Sequence, residues 1–293
     1  MTDEDRMSAV YAAVPAALSS PWSPGGVYTH DRELLRRLIE VQVQSGAAQQ
    51  SATGGLAIAV DVWMATELRR AGIDADAVWP RAQRPRSLPH TLTRAAAGLS
   101  FSRNPAERAL QQQTVEQLLN RVGGARSNVL GGYFAKEIDV VMAGHDRGLE
   151  LGVSTKTMTG SFAKNLGNRF EEAAGDLSNI RRRFPLATFG YAFLATSNIL
   201  AEPASWARMQ DMLRKLRSLS TSDDGTSYDA TCLLVCDWED DEVTLLDDDV
   251  PRDLSPDVFF ERMLRRLFSR SPVSEHVRAR ELFLASDPPP EAS

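Results

Sequence analysis

A chain of 293 residues, 43% apolar and 25% charged, can bury one large core or two modest ones, and no stretch reaches the roughly 18 unbroken apolar residues of a membrane helix. A net charge of −6 argues mildly against a protein that coats nucleic acid through bulk electrostatics. The opening MTDEDRMSAV is acidic and has no basic stretch leading into an apolar one, so a cytoplasmic protein without membrane contact is expected.

Residues 31 to 49 (DRELLRRLIEVQVQSGAAQ) and 56 to 72 (LAIAVDVWMATELRRAG) repeat apolar positions at helical period, and Gly72 suits the close of the second helix. They predict a helical N-terminal region and connector over 1–100. Within it VWPRAQRPRSLP, 78 to 89, holds three prolines and three arginines and reads as a solvated linker, with phosphate contact as the sharper alternative. Trp63 and Trp79 are expected to pack rather than to stack on bases.

From Asn104 the pattern changes to an α-β-β-α-β series, so 101–272 reads as one α/β unit with a mixed sheet flanked by helices. NPAERALQQQTVEQLLNRV predicts a helix capped by Asn104, with Pro105 in its first position. GYFAKEIDVVM and GLELGVSTKTM are strands joined by the turn GHDRG. SFAKNLGNRFEEAAGDLSNIRRRF is a helix that Pro185 stops, and ATFGYAFLATS is a strand of the buried kind. Past a Ser/Thr/Asp-rich loop at 218 to 227, TCLLVCDW and EVTLL form a strand pair, LLDDDVPRD a charged turn and PDVFFERMLRRLF a helix. Residues 273–293 read as a tail, frayed at DPPPEAS. Cys232 and Cys236 share a strand face but are too far apart to bridge, and the four histidines show no zinc spacing.

The chemistry concentrates in the first strand pair. Alternation puts Leu149, Leu151, Val153 and Thr155 on one face of the second strand, and Glu150, Gly152, Ser154 and Lys156 on the other. In the first strand Glu137 and Asp139 point away from Ile138 and Val140. A turn with an even number of residues, such as His145 to Gly148, sets Asp139 opposite Ser154 and Glu137 opposite Lys156 on a shared face; an odd loop separates them.

Over residues 104 to 200, the order of a helix, a strand with Asp139, a strand ending in Ser154-Thr155-Lys156, a helix and a strand resembles the PD-(D/E)XK restriction-endonuclease-like superfamily. In that family the aspartate and a second acid hold Mg²⁺, and the lysine positions or activates the attacking water. Two positions depart from the pattern: Ile138 stands where proline is usual, and Ser154 where the family has Asp or Glu. Glu150 does not replace the missing acid, because six strand residues place it roughly 20 Å from Lys156. A subset of restriction enzymes resembles the chain more closely, with Ser-x-Lys on the strand and the acid moved to the following helix, here Glu171 or Glu172. Family spacing favours Glu171. On a helical wheel, Phe162, Leu166, Phe170, Ala173, Leu177, Ile180 and Phe184 share an arc of about 80°, with Glu171 about 140° from its centre. Glu172 sits on a flanking stripe with Asn165, Asn168, Asp176 and Asn179, so the wheel favours Glu172.

The resemblance implies a Mg²⁺-dependent DNA endonuclease, with Mn²⁺ as a substitute, of the type II-like restriction kind. It implies a homodimer on double-stranded DNA, with a cognate DNA methyltransferase in the same system. Asp139 with Glu172 or Glu171 would hold the metal, and Ser154 and Lys156 would complete the catalytic set. The helix before the hairpin offers a further acid, Glu116 ahead of Glu107, with Gln112 as a neutral stand-in. Lys164, Arg169 and Arg182 would meet DNA, in a segment from Lys164 to Arg183 where Arg181 and Arg183 add to a locally basic balance, although a helix C-terminus attracts cations anyway. Two rival readings stand beside this one: a repair or recombination nuclease acting on DNA structure, and a catalytically inactive relative that binds nucleic acid or protein, which Ser154 favours.

Overall fold

The computed structural model describes residues 2–23, 27–48, 54–144, 147–218 and 227–286. Helices α1 (Asp3–Ala12), α2 (Arg32–Gln44) and α3 (Gly55–Arg70) precede β1 (Val78–Trp79), α4 (His90–Ala97) and α5 (Pro105–Val122). A small hairpin of β2 (Asn128–Leu130) and β3 (Ala135–Glu137) leads to β4 (Val140–Gly144), β5 (Gly148–Met158), α6 (Phe162–Arg181) and β6 (Thr188–Thr196). Then come α7 (Pro203–Ser218), β7 (Ala230–Glu239), β8 (Glu242–Leu245), α8 (Pro256–Arg270) and α9 (Val277–Ser286). Six strands form one mixed sheet in the order β1-β4-β5-β6-β7-β8, parallel from β5 to β7 and antiparallel toward both edges.

The apolar run at 188 to 196 becomes the middle of this sheet and is buried at every residue, as a strand covered on both faces must be. Its side chains enter two cores alternately. Ala192 and Leu194 meet a layer of α1, α2, α3 and α8 through Val10, Leu38, Trp63 and Phe260. Tyr191 and Phe193 meet α6 and α7 through Phe162, Phe170, Leu177 and Met209. Cys232 and Cys236 are both buried on the α3 side as free thiols.

Residues 1–100 are therefore not a region apart. From Val10 to Val78 they share the sheet's core, because α3 is apolar around most of its circumference and needs cover on every side. The segment 78 to 89 is not a solvated linker either. Val78 and Trp79 pair with β4, Arg81 and Arg86 are buried, and Arg86 donates to Glu4 Oε1 at 2.9 Å and Ser8 Oγ at 2.7 Å. Within 273–293, α9 sends Ala279 and Phe283 into the α3-side core, while DPPPEAS lies outside the described residues. Gly72 does follow α3, at a φ of 95° that favours glycine.

The hairpin departs from simple alternation twice. Three residues, 145 to 147, separate the paired Gly144 and Gly148, an odd number, and His145 and Asp146 lie outside the described residues. Yet Val140 pairs with Val153, the register that sets Asp139 against Ser154. The register slips between Met142 and Ala143, leaving Glu150 without a partner, and this extra residue on β5 restores the parity that the loop loses. It also sends Leu149 to the α6 side and Leu151 to the α3 side, where alternation puts them together. Second, GYFAKEIDVVM is not one strand. Ile138 enters the α6-side core and Val140 the α3-side core, so the backbone turns between them. Glu137 consequently pairs with Asn128 in the small hairpin and does not face Lys156.

Candidate active site

The strand break leaves Asp139 outside the ladder and brings its carboxylate over β5, where Oδ2 accepts the Thr155 amide at 2.8 Å. The Thr155 side chain points toward α3 and donates its hydroxyl to Asp61 Oδ1 at 2.5 Å. One residue thus ties two half-buried carboxylates together. No described residue hydrogen-bonds Oδ1 of Asp139 or Oδ2 of Asp61. Both acids line a cavity of about 210 Å³ with Glu137, Arg86 and Arg126. Burial raises the Asp139 carboxyl above its ordinary value, opposed by the Thr155 amide. Burial, and then repulsion from Asp139, push the Asp61 carboxyl well above its own.

On the opposite face of β5, Lys156 reaches α6. Its Nζ lies 3.3 Å from Glu172 Oε1, and Arg169 Nη1 lies 3.1 Å from Glu172 Oε2. Lys136 of β3 places its Nζ 3.7 Å from Glu172 and 2.7 Å from Asp176. Burial would raise the Glu172 carboxyl, but Lys156, Arg169 and Lys136 outweigh it and hold it below the ordinary value. This geometry follows from the amphipathic helix: α6 buries Phe162, Leu166, Phe170, Ala173, Leu177 and Ile180, which leaves Glu172, Asp176 and Asn179 on the flank beside β3. Lys156 is also close enough to Asp61 and Asp139 to favour both ionised carboxylates.

Of the residues singled out in the sequence, Asp139 lies with Asp61 against Thr155, while Ser154, Lys156 and Glu172 lie on the α6 face of the same stretch of β5. Ser154 is half-buried on the α6 face, beside Tyr191 of β6, and adds no charge. Glu171 is exposed and away from Lys156, as the wheel places it. Glu116, Glu107 and Gln112 are all exposed on α5, a helix with no buried residue. The acid beside Asp139 comes instead from α3. Asp61 was missed, though the sequence marks it: it is the single charge in LAIAVDVWMAT, and a helix covered all round keeps a carboxylate only against a partner. Lys164 and Arg169 are exposed on α6, and Arg182 lies over the Tyr133 ring, 5.1 Å from its centroid. Arg181 is buried against Asp229 at 2.5 Å and is structural.

Among the described residues, no group of three or more His, Cys, Asp and Glu side chains is arranged to hold a metal ion. The pair Asp61 and Asp139 still suits a hard cation of the Mg²⁺ kind, which is commonly held by one or two carboxylates with water and phosphate completing its shell. Both donors are oxygens, each keeps one oxygen uncommitted, and a cation would relieve their repulsion. No helix among the described residues is long and apolar enough to cross a membrane. Compared with models of protein families, with curated proteins and with solved structures, the chain matches none.

Proposed function

We propose that the chain is a Mg²⁺-dependent endonuclease acting on double-stranded DNA, with a core of the PD-(D/E)XK restriction-endonuclease-like kind in its Ser-x-Lys variant. The observation that carries this reading is the pair of carboxylates, Asp61 and Asp139, tied to the one residue Thr155 in a shared cavity, with Lys156 next in the strand and near enough for its charge to bear on both. Phosphodiester hydrolysis builds negative charge in its transition state, which a hard cation and an ammonium offset. A divalent cation would supply Lewis acidity and a more acidic bound water. Asp61 and Asp139 would hold it, with Thr155 fixing both carboxylates. Lys156 orients the attacking water and faces the developing charge. Glu172 holds the Lys156 ammonium in place, a different role from the metal ligand that the resemblance implies. Restriction of foreign DNA, as a homodimer paired with a DNA methyltransferase, rests on the resemblance.

A binding-only relative is the second reading, favoured by the pairing of Lys156 with Glu172 at 3.3 Å and by the neutral Ser154. Incubation of the protein with plasmid and phage DNA in Mg²⁺ or Mn²⁺, followed by sequencing of product ends, separates the two. Cleavage that Lys156→Ala and Asp139→Asn abolish supports the nuclease. Intact DNA at every cation concentration sinks it. Discrete bands from unmethylated plasmid mark restriction, whereas a smear or branch-dependent nicking marks repair.

A further inference from the structure

The β2–β3 hairpin ends in the turn Gly131-Gly132-Tyr133-Phe134, whose two rings stand in solvent, 63% and 52% exposed. Exposed aromatics are unremarkable on a loop that can fold them away. This turn cannot. Asn179 of α6, buried to 1% exposure, accepts the Tyr133 and Phe134 amides on Oδ1 at 2.8 and 3.2 Å. Its Nδ2 donates to the Phe134 carbonyl at 3.0 Å, and its own carbonyl accepts the Gly132 amide at 2.7 Å. Gly131 and Gly132 press so closely on Asn179 and Arg182 that a Cβ would come within 2.5 and 2.7 Å of them. The rings are held outward by a buried anchor, with the Arg182 guanidinium over the Tyr133 ring.

The hairpin is also aligned with the candidate site. Lys136, next but one after Phe134, bridges Asp176 and Glu172, which share a stripe of α6 with Asn179. The seven helical steps from Glu172 to Asn179 span about 10 Å, or roughly three base steps of a strand. Arg182, exposed beside the turn, offers positive charge suited to a phosphate backbone.

We propose that Tyr133 and Phe134 form a stacking platform for unstacked bases of the DNA strand, so that the preferred substrate is duplex DNA with single-stranded or bulged character roughly three nucleotides from the cut. This rests on the nuclease reading. Stacking on aromatic faces tolerates any base, so the platform selects DNA structure and not sequence, which within the nuclease reading favours the repair or recombination role over restriction. A base reaches it only after leaving the duplex stack, which costs least where pairing is already broken.

The test titrates the wild-type chain and Tyr133→Ala/Phe134→Ala with two duplexes, one fully paired and one carrying a bulged 2-aminopurine. The wild type is expected to bind the bulged duplex on the order of tenfold more tightly and to quench the 2-aminopurine; the variant loses both the preference and the quenching. Tyr133→Leu/Phe134→Leu, which keeps apolar bulk without the aromatic face, shows the same loss. Equal wild-type affinities, or a preference unchanged in either variant, overturn the proposal. A changed oligomeric state with unchanged DNA binding also overturns it, by making the tip a protein contact. Base stacking without any cleavage sinks the nuclease reading alone, whereas equal cleavage of paired and bulged duplexes sinks the platform alone.

Discussion

Two clusters of buried charge sit at opposite ends of the parallel strands. At the amino ends of β6 and β7, Asp229 accepts Arg181 at 2.5 Å, the Phe189 amide at 2.7 Å, Arg266 at 3.2 Å and Arg270 at 3.3 Å. At the carboxyl end of β5, Asp61 and Asp139 share one threonine and repel each other. The first cluster commits both carboxylate oxygens to more than enough cations. The second is short of positive charge and keeps oxygens free. A buried charge that has lost its partner costs stability and persists where a ligand is to be met, whereas a paired one is costly only to break. The carboxyl ends of parallel strands are also where α/β sheets gather their ligands.

This contrast is open to breakage from both ends. The largest effect is expected at the uncompensated cluster: Asp139→Asn and Lys156→Ala should each lower single-turnover cleavage by roughly a thousandfold while the protein stays folded. A variant that cuts like the wild type removes the site. At the compensated cluster, Asp229→Ala leaves Arg181 buried without its carboxylate and should cost about 3–5 kcal/mol in urea unfolding. A loss near zero would show that the arginines are solvated after all. Asn179→Ala removes the hairpin anchor and should cost about 1–3 kcal/mol by the same measurement.

The smallest effect has the most diagnostic sign. Because the folded-state pKa of Asp61 is raised, the stability tied to its proton is complete below the ordinary carboxylate range and is lost as pH rises through the raised value. Without divalent cations, Asp61→Asn should therefore raise the melting temperature at neutral pH by a few degrees, with no gain below about pH 4. Lower stability at neutral pH would mean that Asp61 is already compensated, as Asp229 is.

Much of the order of elements from Asn104 onward was legible because periodicity and turn residues are local, although α7, α9 and the β2–β3 hairpin were not read. The alternation of β5, the apolar arc of α6 and the unbroken apolar run of β6 each state their own geometry. The wheel favoured Glu172 over Glu171 as the acid of the site, and Glu172 is the one that Lys156 pairs with, although as an ion-pair partner. What stayed hidden depends on contacts distant in sequence. Nothing local in Glu150 marks a bulge, since it arises from Leu149 and Leu151 packing into opposite cores. Arg86 looks solvated until α1 folds over it and Glu4 and Ser8 reach its guanidinium. Asp61 lies far from the hairpin in the chain, and the apolar circumference of α3 says that the helix is buried without saying against what. The uncommitted end of the sheet was thus half readable, as Asp139 and Lys156, while the partner that defines its chemistry was not.

The most direct test of the central claim is a calorimetric titration of the intact protein with Mn²⁺ at neutral pH. Saturable binding that Asp61→Asn and Asp139→Asn each abolish is the predicted result. No binding by the wild type, or binding undiminished in both variants, would contradict a cation site between these two carboxylates.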